Sequence, residues 1–263
     1  MSDADTLLRE GDLAGARAAL VDLVRTQPAN EQARMFLFQL LAINGEWDKA
    51  SRQLEALVSV TAEAQMLAVT YNQAIAGERM REAVFAGDAE MEMLVGKDSW
   101  AAGIAKAVSA YVKGDAAGGD AARDAAFEEA PETPGAINGE EFEWIADADA
   151  RFGPTFEAIL SGRYGLIPFD HVRSIKSEGP KDLRDVVWYP VEILFGSGQS
   201  AAAFIPARYP GTVASDNDTL KLGRSTDWLD RDWGQEGLGQ RLWTTSSGDD
   251  DHGLLALREL TFG

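Results

Sequence analysis

An internal repeat in the first half of the chain constrains the fold more than any other feature of the sequence. The segment GDLAGA at residues 11–16 returns as GEWDKA at residues 45–50, which is 34 residues later. An offset of 34 residues is the period of the tetratricopeptide helical hairpin. Each copy opens with a glycine, where one helix would end and the chain would turn, and closes with an alanine small enough to admit a paired helix. The repeat therefore predicts stacked helical hairpins.

The apolar residues that follow each copy support the same interpretation. They recur at the same offset and at helical spacing: Leu20, Leu23 and Val24, then Leu54, Leu57 and Val58. A third copy is degenerate, because Arg79 stands where a turn glycine would be expected, although apolar residues at 66–84 keep a helical spacing. The Gly-Asp pair at 114–115 then resumes the pattern. Since such repeats bury a core only against their neighbours, we expect three to four stacked hairpins up to about Ala130.

A proline-rich junction separates this half from the rest of the chain. Residues 131–135 have the sequence PETPG, in which two prolines and a glycine prevent a continuous helix. We therefore predict a tetratricopeptide-like helical-repeat domain over residues 1–135 and a second domain over residues 136–263.

The second domain is expected to be small and mainly β. The apolar spacing of Trp144, Ile145 and Ala148 predicts that it begins with a linker helix over residues 140–152. Alternating apolar residues then predict two strand hairpins, with turns at residues 161–162 and 196–199, and a third candidate hairpin that joins residues 241–245 with residues 254–260. The predicted fold class is α+β, with an all-α first domain followed by this β-rich one.

Composition excludes several classes of function. The chain has 24 Lys and Arg residues against 43 Asp and Glu residues, and its formal net charge of −19 argues against nucleic acid and membrane partners. The absence of cysteine excludes disulfides, thiolate zinc sites and cysteine nucleophiles, and two histidines exclude a histidine-rich metal site. We expect neither a cofactor nor a metal.

The sequence has no targeting signal that we can identify. Its first ten residues, MSDADTLLRE, lack the basic and then apolar pattern of a secretory signal. The longest apolar stretch, at residues 35–43, is too short to span a membrane. We therefore expect a soluble, cytoplasmic protein.

Enzymatic motifs are weak. The chain lacks a phosphate loop, an HExxH helix and a nucleophile elbow. Residues 196–201 match the GxGxxA dinucleotide pattern, but a strand rather than a helix is expected to follow them, which favours a hairpin turn. The acidic run at 249–251 could bind a cation weakly, although a solvated turn is the simpler interpretation.

One alternative remains open on chemical grounds. His171 follows Asp170 and lies two residues before Arg173, so it could act as a general base in the β domain. The alternative function is accordingly a hydrolase or a small-ligand-binding enzyme whose site lies in the C-terminal β domain.

Several blocks of sequence in the second half resemble a known family. They are GRYGLIPFDHVRS at 162–174, PKDLRD at 180–185, ARYPG at 207–211, LGRSTDW at 222–228 and GLGQR at 237–241. Together with the helical repeats they resemble the ImpE/SciE/TagJ family of accessory proteins of bacterial type VI secretion, over nearly the whole chain.

This resemblance implies a non-enzymatic adaptor. Members are similar to proteins that bind the small subunit of the contractile sheath, and they are linked to the ClpV-type AAA+ unfoldase that recycles contracted sheaths. The family supplies no catalytic residues. A general scaffold that serves another machine is a third possibility, since helical repeats have many functions.

A repeat array of this kind would hold a partner helix or an extended segment on its concave face. The acidic surface would favour a partner segment that carries Lys or Arg. The candidate partner-binding residues are polar residues on the first helices of successive hairpins and two tryptophans in the acidic segment 227–233: Arg34, Gln39, Tyr71, Asn72, Trp228 and Trp233.

Overall fold

In the computed structural model, which describes residues 2–59, 64–248 and 251–263, the helices come first along the chain. Those of the first half are α1 (Ser2–Glu10), α2 (Leu13–Thr26), α3 (Glu31–Ile43), α4 (Trp47–Val58), α5 (Ala64–Ala86), α6 (Ala102–Val112) and α7 (Ala116–Glu129). α1 packs with α2, α3 with α4, and α6 with α7, so the prediction of tetratricopeptide-like hairpins is confirmed.

Glycine and aspartate set the turns within these hairpins. Gly11, Gly45 and Gly114 end their helices with φ angles of 87°, 67° and 80°, a left-handed conformation that glycine adopts without strain. The carboxylates of Asp12 and Asp115 then cap the next helices by accepting from backbone N–H groups three residues later. The repeated Gly-Asp pair is therefore a stop signal followed by a start signal.

The third repeat departs from this pattern. α5 is a single helix of 23 residues, and residues 87–101 contain no helix. Arg79 lies inside α5, one period after Gly45, and it cannot supply the left-handed turn that would end the helix there. The helix instead continues to Gly87, whose φ is 82°. The second helix of this hairpin is thus missing from the array.

The second half is built mainly from strands. They are β1 (Gly135–Ile137), β2 (Glu140–Phe142), β3 (Ile145–Asp147), β4 (Thr155–Leu160), β5 (Arg163–Pro168), β6 (Val172–Lys176), β7 (Trp188–Phe195), β8 (Ser200–Pro206), β9 (Thr226–Arg231), β10 (Gly234–Gly239), β11 (Leu242–Thr245), β12 (His252–Gly253) and β13 (Glu259–Phe262), with a short helix α8 (Asp218–Lys221).

Eight of these strands form one antiparallel sheet in the order β2-β1-β13-β6-β7-β8-β4-β5 within the described residues. β9 pairs with β10 as a separate ribbon, and β11 lies between β12 and β3. The predicted α+β class and the first two predicted hairpins, β4 with β5 and β7 with β8, are confirmed. The third hairpin is wrong in its second strand, because β11 pairs with β12 at residues 252–253 and β13 pairs with β1 and β6 instead.

The predicted linker helix over residues 140–152 is wrong. Residues 140–142 and 145–147 are strands, and β2 folds back on β1 through Asn138 and Gly139. Both turn residues have positive φ angles, 50° and 90°, which is the conformation that an Asn-Gly hairpin turn favours. This local turn signal outweighs the apolar spacing that suggested a helix.

A shared core joins the two halves. Trp188 of β7 packs against three aromatic residues of the helices, with ring centroids 6.3 Å from Phe38, 5.8 Å from Trp47 and 5.5 Å from Tyr71. A second buried cluster lies on the sheet around Phe156, outside this joint core. The change from helix to strand falls between α7 and β1, and the division into two domains at residue 135 stays a prediction.

None of the helices in the described part of the chain combines the length and the apolar character needed to cross a membrane.

Candidate protein-binding surface

The inner side of the repeat array is filled by the chain itself. Gln39 on α3 and Tyr71 on α5 are each only 8% exposed. The ring of Tyr71 contacts Trp188 and Phe204 of the sheet, and the guanidinium of Arg184 lies 4.6 Å from its centroid. Burial raises the pKa of Tyr71 to about 12. The face where we expected a partner therefore holds the second half of this protein.

The other two candidates on the helices, Arg34 and Asn72, do not lie on the filled inner side of the repeat array. Arg34 is half-buried and ties α3 to its surroundings, since it donates to the Pro28 carbonyl oxygen at 2.5 Å and to Gln53 at 2.9 Å. Asn72 is exposed on α5. The structure thus separates Asn72 from the buried Tyr71, although the two residues are adjacent in sequence.

The two candidate tryptophans belong to the β9–β10 ribbon, and both are half-buried. Trp228 lies 5.7 Å from Tyr209, measured between ring centroids. Trp233 stacks on Tyr111 of α6 at 4.7 Å, and its carbonyl oxygen accepts from Arg123 at 2.8 Å. The contacts of Trp233 fasten the ribbon to α6 and α7, and that of Trp228 fastens it to the segment after β8, so the six candidates do not form one surface.

Buried ion pairs also hold the halves together. Arg81 of α5 donates to both carboxylate oxygens of Glu157 on β4, at 2.7 and 3.1 Å, and to the Arg208 carbonyl oxygen at 2.7 Å. Arg241 bridges Glu157 and Asp147, and the side chains of all three are fully buried. Burial raises the pKa of Asp147 to about 6 and lowers that of Arg241. Because each carboxylate is matched by an arginine, the network is an internal clamp.

The pair proposed for the alternative enzyme lies at the surface. His171 Nδ1 is 2.9 Å from Asp170 Oδ1, and the other Asp170 oxygen accepts from Trp100 Nε1 at 3.1 Å. The His171 side chain is partly exposed, and Arg173 is exposed. This geometry makes Asp170 a link between the sheet domain and the segment before α6.

Other candidate chemistry is similarly limited. Residues 196–199 form the turn between β7 and β8, as the hairpin interpretation of the GxGxxA pattern expected. Across residues 2–59, 64–248 and 251–263, no group of three or more His, Asp or Glu side chains could hold a metal ion. Positions 249 and 250 of the acidic run lie outside the described residues.

The outer side of α5 contrasts with its inner side. Met66, Val69, Gln73, Ala76 and Met80 are all exposed and follow one another at steps of three, four, three and four residues. Met66 is 74% exposed, Val69 53% and Met80 48%. This spacing is that of the a and d positions of a coiled coil, the seam along which two helices pair. We refer to these five residues as the α5 surface.

A groove of about 590 Å³ runs beside the α5 surface. Val69, Asn72 and Ala76 of α5 form one wall, Glu55 and Val58 of α4 form another, and the turn between β4 and β5 closes it at Gly162. The lining is mostly apolar, with Glu55 as its charged member. Such a groove can accept the apolar face of an amphipathic helix.

Sequence reasoning missed this surface, although a signal for it was present. The apolar residues at 66–84 have helical spacing, which predicts a helix but does not distinguish a core face from an exposed one. The absence of a turn glycine at position 79 indicates a long helix without a second helix to cover it.

Comparisons with known proteins agree with this architecture. Residues 7–70 match the tetratricopeptide repeat model, and residues 139–261 match the model of the ImpE protein family. The type VI secretion system accessory component TagJ of Pseudomonas aeruginosa is 43% identical over 261 residues, which cover 98% of this chain and 90% of TagJ.

A solved structure has the same fold. The crystal structure of protein VPA1032 from Vibrio parahaemolyticus superposes with a TM-score of 0.86 at 24% identity, covering 99% of this chain and 97% of the other. The 43% identity to TagJ over nearly the whole chain, together with the match to the ImpE model, shows that this chain belongs to the ImpE/TagJ family of type VI secretion accessory proteins.

Proposed function

We propose that this protein is a non-enzymatic, cytoplasmic adaptor that binds the small subunit of the contractile sheath through the α5 surface and links it to the ClpV-type AAA+ unfoldase. The observation that carries the proposal is a heptad seam of four apolar residues and Gln73, exposed on the longest of the described helices. Family membership relates the chain to type VI secretion, and the seam is a surface to which a polypeptide can bind.

The contact geometry favours a helix as the bound segment. A partner helix with apolar residues at a and d positions would pair with Met66, Val69 and Met80 and occupy the place of the missing second helix of the third hairpin. Binding of this partner helix would bury methionine and valine side chains that otherwise contact water. Burial of one such side chain contributes about 1.5–3 kcal/mol before the entropy of association is subtracted.

Charge favours a basic partner segment. The chain carries a net charge of −19, and Glu55 lines the groove. Lysine or arginine beside the apolar stripe of the partner would speed the encounter, and salt would slow it. The proposal therefore predicts an association rate that falls as ionic strength rises.

Titration calorimetry of the full chain with the purified sheath small subunit tests the proposal. We expect a saturable complex whose association weakens with salt, and binding of the unfoldase to that complex in a second titration. A chain that binds neither the subunit nor the unfoldase would overturn the proposal.

A further inference from the structure

A cavity of about 390 Å³ lies where α5 meets the segment that follows β8. This volume falls in the range of small-molecule sites, which commonly lie between packed units of a protein. Glu82 and Ala86 of α5 face Gly211 and Ala214 across its rim. Because all four rim residues are exposed, the cavity is open to solvent. We call it the seam cavity.

Glu78 is the unusual residue of the seam cavity. The residue is only 5% exposed, and its one ion pair in the described part of the chain is with Arg81 Nη1 at 3.5 Å. An ionised carboxylate can accept about four hydrogen bonds. No hydrogen bond to Glu78 comes from any residue that the structure describes. Its oxygens are not among the fully enclosed atoms that lack a partner, so their acceptor sites are open to the cavity.

The arginines beside Glu78 already have other partners. Arg81 is bound by Glu157 in a bidentate pair. Arg208 Nη1 donates to the carbonyl oxygens of Ile43 at 3.0 Å and Lys221 at 2.7 Å, the last residues of α3 and α8. Burial lowers the pKa of Arg208 to about 10, and the charge of Glu78 offsets part of that effect. The carboxylate of Glu78 thus offsets the positive charge of Arg208 without a direct hydrogen bond. Its oxygens remain able to accept hydrogen bonds from a ligand.

A second carboxylate lies one helical turn further along α5. Glu82 accepts from Trp47 Nε1 at 2.6 Å through one oxygen, which leaves its other oxygen for a ligand. Residues four apart lie on the same helix face, so both acids border the cavity. Trp47, Phe85 and Tyr209 supply apolar wall around them.

We propose that the seam cavity binds a primary alkylammonium group. Its N–H donors bind Glu78 and Glu82, and its carbon chain lies against Trp47 and Phe85. Two sources share this chemistry: a small free amine, or the side chain of a lysine on a bound polypeptide. The site is separate from the α5 surface and does not depend on the sheath partner.

Titration calorimetry of the full chain with n-butylammonium tests the proposal, with 1-butanol and butyrate as neutral and anionic probes of the same length. We expect the cation to bind and the other two not to bind. E78Q should weaken binding by about tenfold or more, because it removes the charge of the hydrogen-bonded partner. E128Q, at an exposed glutamate of α7 that lines neither this cavity nor the groove beside the α5 surface, is the matched control and should leave binding unchanged.

A86F gives an independent variant that keeps both acids. Ala86 is exposed at the end of α5, so a phenyl ring there narrows the mouth without disturbing the core. It should also abolish binding of the amine. Equal binding by wild type, E78Q and A86F, or equal binding of cation and alcohol, would overturn the proposal.

The same titration with a lysine-containing peptide distinguishes the two sources. Binding of butylammonium but not of the peptide assigns the site to a small amine, and binding of both, with both weakened by E78Q, assigns it to lysine. Failure of butylammonium to bind would overturn the proposal.

Discussion

The two faces of α5 perform different tasks. Its inner face carries Tyr71 and Arg81, which are buried against aromatic rings and a carboxylate of the sheet domain. Its outer face carries Met66, Val69 and Met80, which are exposed. A single helix therefore joins the two halves of the molecule on one side and presents an apolar seam on the other.

This difference changes where a partner can bind. In an open repeat array the first helices of the hairpins line a free concave groove, and the candidate residues were chosen for that geometry. Here Trp188 and its neighbours fill that side. The proposed docking site is instead the α5 surface. Because this surface contributes little to the core, binding and stability should respond to different substitutions.

The largest effect is expected from breaking the clamp on the inner face. R81A leaves Glu157 buried opposite Arg241 alone, and loss of one partner from a buried ion pair destabilises a protein by about 3–5 kcal/mol. Urea unfolding followed by circular dichroism measures this loss.

R79A is the matched control for that loss. Arg79 lies two residues earlier on α5 and pairs with Asp48 at the surface, where such pairs contribute about 0–1 kcal/mol. Similar losses in the two variants would show that the inner face is not a clamp.

A smaller effect is expected from a charge on the outer face. V69D should weaken binding of the sheath small subunit by about tenfold or more, because it places a carboxylate in an apolar contact. Its free energy of unfolding should stay within about 0.5 kcal/mol of wild type, as is usual for an exposed site.

V21D distinguishes the effect of a carboxylate on the α5 surface from the effect of one added negative charge on the chain. Val21 of α2 is 43% exposed, comparable to Val69 at 53%, and the substitution adds the same charge away from the groove. Equal loss of binding in both variants would assign the effect to net charge and remove the α5 surface from the account.

A further effect, on stability rather than on binding, concerns pH. Burial raises the pKa of Asp147 to about 6, above the value of about 3.9 for an unfolded aspartate. The folded state therefore binds this proton more tightly, and the contribution of Asp147 to stability increases as the pH falls from about 7 to about 4.

D147N removes that titration. The stability of wild type relative to D147N should rise as the pH is lowered through this window, measured by urea unfolding at several pH values. A relative stability that falls instead would show that attraction to Arg241 outweighs burial in setting the pKa.

The local features of the fold could be predicted from the sequence. Gly11 and Gly45, each followed by an acidic residue, set the turn between the two helices that flank them. Because this effect is local, the hairpin period could be inferred directly from the sequence. The error over residues 140–152 arose because the spacing of Trp144 and Ile145 was preferred to the Asn138–Gly139 turn, although both signals are local.

The site was harder to predict because it depends on contacts between distant parts of the chain. Nothing near Tyr71 in sequence indicates that Trp188, more than a hundred positions later, covers it. For the same reason the pairing of Arg81 with Glu157 could not be inferred from charge alone. The exposed side of α5 could be inferred only in part, from the missing turn at Arg79.

Site-specific photocrosslinking tests most directly whether the outer face of α5 meets the partner. The chain has no cysteine, so a single engineered cysteine carries the probe without interference. With the sheath small subunit present, a benzophenone probe at V69C should crosslink to it, and one at V21C should not. Crosslinking from V21C with none from V69C would contradict the assignment of the outer face of α5 as the docking surface.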